Sequence, residues 1–404
     1  MELPNSIIKS KIIFLTGAGA SVPLGCFTTR EFLADFTRTL PGRVDQKSQP
    51  GIGDFLTQVY VQAASSLADI ETILGWVERN AEDAKRFGDD ALFRQKVLYS
   101  NQGAIQDYVR WNEKVRDLIY DDVITHYSAI DSTKASALYR QIFGDYVAWF
   151  GAVPGLGRTI PWFTLNYDLA VEAAASQMQV PIVDGLIDRP GSTERRWSRK
   201  AFERYQEFDR PSVVLIKLHG SVRWGRERGA DGVVEIAELP AGVGRDPGKF
   251  QHVVLYPTEL TKPLHIEPFR TCYRIFRDCL DNSCLLVVVG CSLRDREIQV
   301  SISDAMDDNK ALRLLLIGPE ADHQKISADL QLDPTRVVAV RQRFEVPPDQ
   351  GQPSFMGCVR GYAYEACGGP GDASPSQEFG FGVTHDDWPW MPRLKAISRM
   401  QLGT

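Results

Sequence analysis

His219 is the residue of this sequence best placed to move a proton. It follows a β-branched apolar run, Ser212 to Leu218, and precedes Gly220. A histidine at the end of a buried strand suits acid–base work near neutral pH. A hydrogen-bonded core histidine has the same surroundings, so the position alone leaves both readings open. Asn166 and Asp168 follow a second strand-like run, Ile160 to Leu165. Asn donates and accepts hydrogen bonds, and Asp accepts them. Taken alone, the pair reads as a helix N-cap, which both residue types favour.

Two further stretches place backbone groups near a ligand. Gly17-Ala18-Gly19-Ala20-Ser21 follows the run Lys11 to Thr16. Glycines between a strand and a helix let N–H groups approach a diphosphate, aided by the helix N-terminus. The match to G-x-G-x-x-G is incomplete because position 22 is Val, and a tight strand-to-helix turn looks the same. Gly290 and Ser292 close the run Cys284 to Val289, as a phosphate or ribose contact or as another helix start. Glu320, beyond the run Leu312 to Ile317, could hold ribose hydroxyls or be a plain loop carboxylate.

These candidates all stand at the ends of apolar runs of strand length. Helical stretches such as Glu267–Leu280 and Asp295–Met306 lie between several of them. Strands alternating with helices predict an α/β fold, a Rossmann-like, mostly parallel sheet flanked by helices. His252–Tyr256 and Arg336–Val340 read as further strands. From about Phe55 to Gly151 the spacing changes. Ile70, Ile73, Leu74 and Val77 fall at helical intervals, as do Val115, Ile119, Val123 and Tyr127. The predicted division is a discontinuous core over 1–52 and 152–345, an α-helical insert over 53–151, and a loop-rich C-terminal extension over 346–404. That extension is crowded with Gly and Pro but carries Trp388 and Trp390, and is expected to pack on the core or on another subunit.

The 404 residues suit two modules, or one large domain with an insert. The net charge of −6 gives no overall attraction to DNA or anionic lipid. One local exception, Arg195, Arg196, Trp197, Arg199, Lys200, Arg204 and Tyr205, interleaves bases with aromatics as a phosphate-binding segment does. Glu194, Glu203, Glu207 and Asp209 dilute it, which favours a solvated or subunit-contacting surface. No apolar run reaches membrane-spanning length. The N-terminus lacks a signal-peptide pattern, and the seven scattered cysteines read as reduced thiols, so a cytoplasmic protein is expected.

Gly17-Ala18-Gly19-x-Ser21, Asn166-x-Asp168, His219-Gly220 and Gly290-x-Ser292-Leu293 together form the ordered signature of sirtuins. The sequence resembles that superfamily across roughly 11–24 and 162–340. The resemblance departs from the deacylases in two places. They carry two Cys-x-x-Cys zinc pairs after the His-Gly motif, whereas Cys272, Cys279, Cys284 and Cys291 have no such spacing, so no zinc is expected. The loop after the glycines, Val22 to Phe27, keeps Pro23 but not the acidic and basic residues of the deacylase loop.

Ala68-Asp69-Ile70-Glu71-Thr72-Ile73-Leu74 in the insert, with Asn166-Tyr167-Asp168, resembles bacterial sirtuin-like anti-phage effectors that hydrolyse NAD⁺. The resemblance implies NAD as substrate and cleavage of its nicotinamide–ribose bond in abortive infection. Its adenosine diphosphate half would lie over Gly17, Ala18, Gly19 and Ser21, with Gly290, Ser292 and Glu320 opposite. Asn166 would orient water or ribose, His219 would act as general base, and Asp168 would bind the carboxamide. Such effectors work with a HerA-type DNA-translocating ATPase or an Argonaute-like sensor protein. A homo-oligomer is expected on the same ground. Deacylation, ADP-ribose transfer to protein, and NAD or ADP-ribose binding without turnover are the alternatives.

Overall fold

The apolar runs that flank the candidate residues become neighbouring strands of one sheet. In the computed structural model these are β1 (Ile12–Thr16), β2 (Thr159–Thr164), β3 (Ile182–Val183), β6 (Ser212–Lys217), β10 (Leu285–Val289), β11 (Arg313–Ile317) and β12 (Val337–Val340). Their order is β12-β11-β10-β1-β2-β6-β3, and every neighbouring pair is parallel. The structure describes residues 4–8, 10–44, 52–64, 69–90, 105–149, 158–189, 194–228, 234–239, 251–254 and 264–341, with 359, 362, 363 and 366.

Both faces of the sheet are covered, which is why its strands are apolar throughout. Side chains alternate between the faces. Ile12 and Phe14 join one core cluster, and Ile13 and Leu15 join the other. On the first face lie α6 (Ser132–Trp149) and α7 (Ala170–Gln177). Trp162 is fully buried there, stacked on Phe14 at 5.0 Å, with its indole N–H donated to Thr16 Oγ1 at 3.3 Å. The second face is covered by α9 (Phe269–Asn282) and α10 (Arg296–Asp308).

The remaining helices of the 53–151 segment, α3 (Ile52–Ala63), α4 (Ile70–Phe87) and α5 (Ile105–Ser128), form a third cluster around Phe55, Ile73, Trp111 and Ile119. That cluster also takes in Phe32, Leu33 and Phe36 of α2 (Thr29–Thr39), and Tyr167 and Val222 from the sheet domain. The α6 helix instead presents Ala135, Tyr139, Ile142 and Phe143 to the sheet.

There is a second sheet of five antiparallel strands, ordered β4-β5-β8-β7-β9, of which the sequence reading found only the run His252–Tyr256. They are β4 (Leu186–Asp188), β5 (Arg195–Trp197), β7 (Gly220–Arg228), β8 (Val234–Glu238) and β9 (Gln251–Val254). Of the other four, β5, β7 and β8 are interrupted by charges and β4 is only three residues long, so they show no apolar run. Two arginines of the basic segment, Arg195 and Arg196, are ion-paired in or beside this sheet. Arg195 meets Asp184 at 2.6 Å and Glu238 at 3.3 Å, and Arg196 pairs with Glu194 and Glu235. The bases in β5 are therefore neutralised by carboxylates instead of forming an open phosphate-binding strip.

One other local expectation is corrected. Gly17 does not lead into an α-helix. Two single 3₁₀ turns follow, Ala18–Ala20 and Val22–Leu24, and α2 begins only at Thr29, capped by Thr28 and Glu31. In the C-terminal extension, Val359, Tyr362, Ala363 and Ala366 are helical and pack on the first core cluster. Trp388 and Trp390 lie outside the described residues.

Candidate functional site

The chain leaves β1 for β2 on one side, and β10 pairs on the other, so the strand order reverses at β1. Open α/β sheets bind ligands at the carboxyl ends of the strands on either side of such a point. Four loops meet there, after β1, β2, β6 and β10, and each carries one of the predicted motifs.

Register brings the two catalytic candidates together. Thr164 of β2 pairs with Lys217 of β6, and the Leu218 N–H donates to the Thr164 carbonyl at 2.9 Å. Asn166 and His219 each stand two residues beyond that pair, on strands about 5 Å apart. Both are buried, at 7% and 3% exposure. The ring of Tyr167 lies 6.4 Å from the His219 ring.

Asn166 closes the floor. Its Nδ2 donates to the Gly17 carbonyl and to Ser21 Oγ, both at 2.9 Å. Ser21 Oγ donates to Asp168 Oδ2 at 2.6 Å, and Asp168 Oδ1 accepts the Ala170 N–H at 2.9 Å. Asp168 thus starts α7 and orients Ser21. Each of its oxygens accepts one hydrogen bond within the protein, and a carboxylate keeps further lone pairs for a ligand. Ser21, 1% exposed, belongs to the same interior network and not to a phosphate surface. Behind it, the buried Lys217 donates to the Asp168 carbonyl and lies 2.9 Å from Glu172, whose pKa burial raises against the pull of Lys217.

The glycines serve close packing between two loops. The Gly17 N–H donates to the Val289 carbonyl at 3.0 Å and the Gly19 N–H to the Gly290 carbonyl at 2.8 Å. These N–H groups hold β10, so the expected use of all of them for a diphosphate is not what the loop does. Ala18 and Gly19 remain partly exposed at the rim, and Ser292 is exposed beside them. Ser292 Oγ accepts from Arg294 Nε at 3.1 Å. Glu320 is an exposed turn residue after β11, on the same edge but outside this hydrogen-bonded group.

The residue that sequence reading missed is Asp295. Its Oδ2 lies 2.7 Å from His219 Nε2, and its Oδ1 accepts the Glu297 N–H as the N-cap of α10. An Asp just before a helical stretch signals a cap, and nothing local signals a histidine partner 76 residues away.

The insert touches the same loop. Asp69 caps α4 by accepting the Thr72 N–H at 2.9 Å, and its other oxygen pairs with Arg294 at 2.9 Å. Asp69→Ala is expected to lower stability by about 1–2 kcal/mol, mostly as a lost cap. The Arg294 side chain is 57% exposed, so its ion pair adds little. Asp69→Asn keeps the capping oxygen and should cost only a few tenths of that. Urea midpoints of the two variants check the difference, and equal losses would assign the effect to the ion pair.

Cys272 and Cys279 lie fully buried in α9 as core residues. Burial pushes the Cys26 and Cys291 thiols up to about 12. At pH 8 such a thiol is on the order of 10⁻⁴ thiolate, the reactive form. Native protein should therefore leave both unlabelled by a thiol reagent at pH 8 and label them after denaturation, as peptide mapping would show. Rapid native labelling of Cys291 would mean that its loop opens. Among the described residues no group of three or more His, Cys, Asp or Glu could hold a metal ion, and no helix is long and apolar enough to cross a membrane.

This is a Rossmann-like α/β domain with its candidate site at the strand-order reversal. Residues 162–335 match the family model described as a SIR2-like domain. No curated protein matches the chain in sequence. Among solved structures, it is similar to a Sir2 homologue mutant in complex with ADP-ribose, at 13% identity over 90% of this chain and 94% of that one (TM-score 0.38). It is also similar to a Sir2 homologue–NAD complex, at 15% identity over 84% and 87% of the two chains (TM-score 0.36).

Proposed function

We propose that this protein hydrolyses NAD⁺ at the nicotinamide–ribose bond, giving nicotinamide and ADP-ribose. The observation that carries the reading is the pairing of buried Asn166 and His219 at level strand ends, the histidine backed by Asp295. A site that only held the dinucleotide has no use for a polarised histidine beside a buried amide.

The C–N bond breaks with its electron pair going to the cationic ring nitrogen, so nicotinamide leaves neutral. The remaining oxocarbenium-like ribose needs electrostatic support and a placed water. Asn166 orients that water or the ribose hydroxyls. His219 takes the proton that water loses on attack, directly or through a ribose hydroxyl. The adenosine diphosphate half lies along the accessible rim of Ala18, Gly19 and Ser292. Asp168 shapes the floor through Ser21 and uses a remaining lone pair to accept from the carboxamide.

The gated anti-phage role is part of the same proposal. It is supported by the likeness of the Ala68–Leu74 sequence to that of effector helices and by the Asp69–Arg294 pair, which joins α4 to the site loop. A homo-oligomer and a HerA-type ATPase or Argonaute-like partner follow from that likeness alone.

The test is NAD⁺ turnover by the purified protein, following nicotinamide and ADP-ribose, with Asn166→Ala in parallel. Both products from the wild type alone would establish hydrolysis. Tight binding without cleavage, measured calorimetrically, would replace it with a sensor or a closed enzyme. Absence of binding would overturn the proposal.

A further inference from the structure

Asp295 is held from two sides. Its Oδ1 accepts the Glu297 N–H at 3.0 Å, and α10 behind it is anchored in the core by Ile298, Ile302 and Ala305. Its Oδ2 therefore meets His219 Nε2 from a fixed position, with both side chains 3–4% exposed. The neighbouring Tyr273 phenol is kept protonated by burial and by the charges of Asp295 and Glu297, so it adds no competing anion. A carboxylate only accepts hydrogen bonds, so the proton between the two groups rides on Nε2. In a neutral imidazole the lone pair is then on Nδ1.

We propose that Asp295 is a positioning residue that locks His219 in its Nε2–H tautomer, making Nδ1 the atom that takes the proton from water. This rests on the reading of His219 as general base. As water attacks, its proton passes to Nδ1 and the ring becomes a cation carrying N–H on both nitrogens. The negative charge of Asp295 compensates that cation while its own proton count stays unchanged. The cap also ties the direction of the ring to α10, the helix that follows the Arg294 loop.

The test is Asp295→Asn. Asparagine keeps an oxygen for the Glu297 N–H and so preserves the cap. It presents an amide N–H to Nε2, which forces the ring to the Nδ1–H tautomer. The imidazole ¹⁵N spectrum of His219 should show Nε2–H in the wild type and Nδ1–H in the variant. The kcat for NAD⁺ should fall at least about 10²-fold, with KM within about threefold, since substrate contacts are untouched. Asp295→Ser, which retains a capping oxygen but offers no carboxylate, should lose kcat equally and give mixed tautomers. A wild-type ring in the Nδ1–H form, or a folded Asp295→Asn protein with near-normal kcat, would overturn the assignment. The wild-type spectrum needs no substrate, so it decides the tautomer even if the protein proves not to cleave NAD⁺.

Discussion

His219→Ala is expected to lose NAD⁺ turnover by a factor on the order of 10²–10⁴, the usual range for a general base. The loss should fall on kcat, because the proposed proton transfer takes place only in the transition state. The fold should survive. Asp295 keeps the Glu297 N–H as a partner after the ring is gone, and the floor bonds among Asn166, Ser21, Gly17 and Asp168 do not involve His219. Circular dichroism and melting, run beside a nicotinamide-release assay, separate chemistry from folding. A folded variant with an unchanged rate would remove His219 from the mechanism.

Gly290→Ala should cause the largest loss of stability. Gly290 has φ +58°, and a Cβ there would lie 2.3 Å from the Ala20 nitrogen and 2.5 Å from the Gly19 carbonyl carbon. Both obstacles are backbone, held by the Gly19–Gly290 hydrogen bond, and cannot swing aside as a side chain would. The left-handed conformation costs about 1 kcal/mol for a non-glycine residue, and forced overpacking adds about 1–3 kcal/mol. A total near 3 kcal/mol is expected, read as a lower urea midpoint. The two crossing loops must separate to admit the methyl group, so NAD⁺ binding should weaken as well. By contrast, Gly318→Ala, with nothing within 4 Å of the added carbon, should be close to neutral. Similar losses at both positions would rule out the loop crossing as the cause.

The parallel sheet was legible because its strands are buried on both faces and read as continuous apolar runs. Ile12–Thr16, Ser212–Lys217 and Leu285–Val289 needed no partner to be recognised. The antiparallel sheet was legible only in its strand at His252–Tyr256. Arg195–Trp197 and Val234–Glu238 gain their strand character from cross-strand ion pairs, and a pairing between segments some 40 residues apart leaves no local pattern. The glycine loop was recognised, but its close packing against a second loop was not. Strand-glycine-helix spacing points to a ligand at a helix end, and it does not show that Gly290 and Cys291, in the loop after β10, lie where a Cβ at Gly17 or Gly19 would be.

By itself, then, the sequence determined the parallel core, the helical character of the insert and the edge of the sheet where Asn166 and His219 stand. Each depends on periodicity or on a residue's position relative to its own strand, and these are local properties of a chain. Tertiary structure alone decided that Asp168 faces inward to Ser21, that Asp295 backs His219, and that Asp69 reaches Arg294. A carboxylate looks the same in sequence whether it caps a helix, holds a serine or orients a histidine. Its role is set by which hydrogen-bonding groups the packing of distant elements brings within 3 Å.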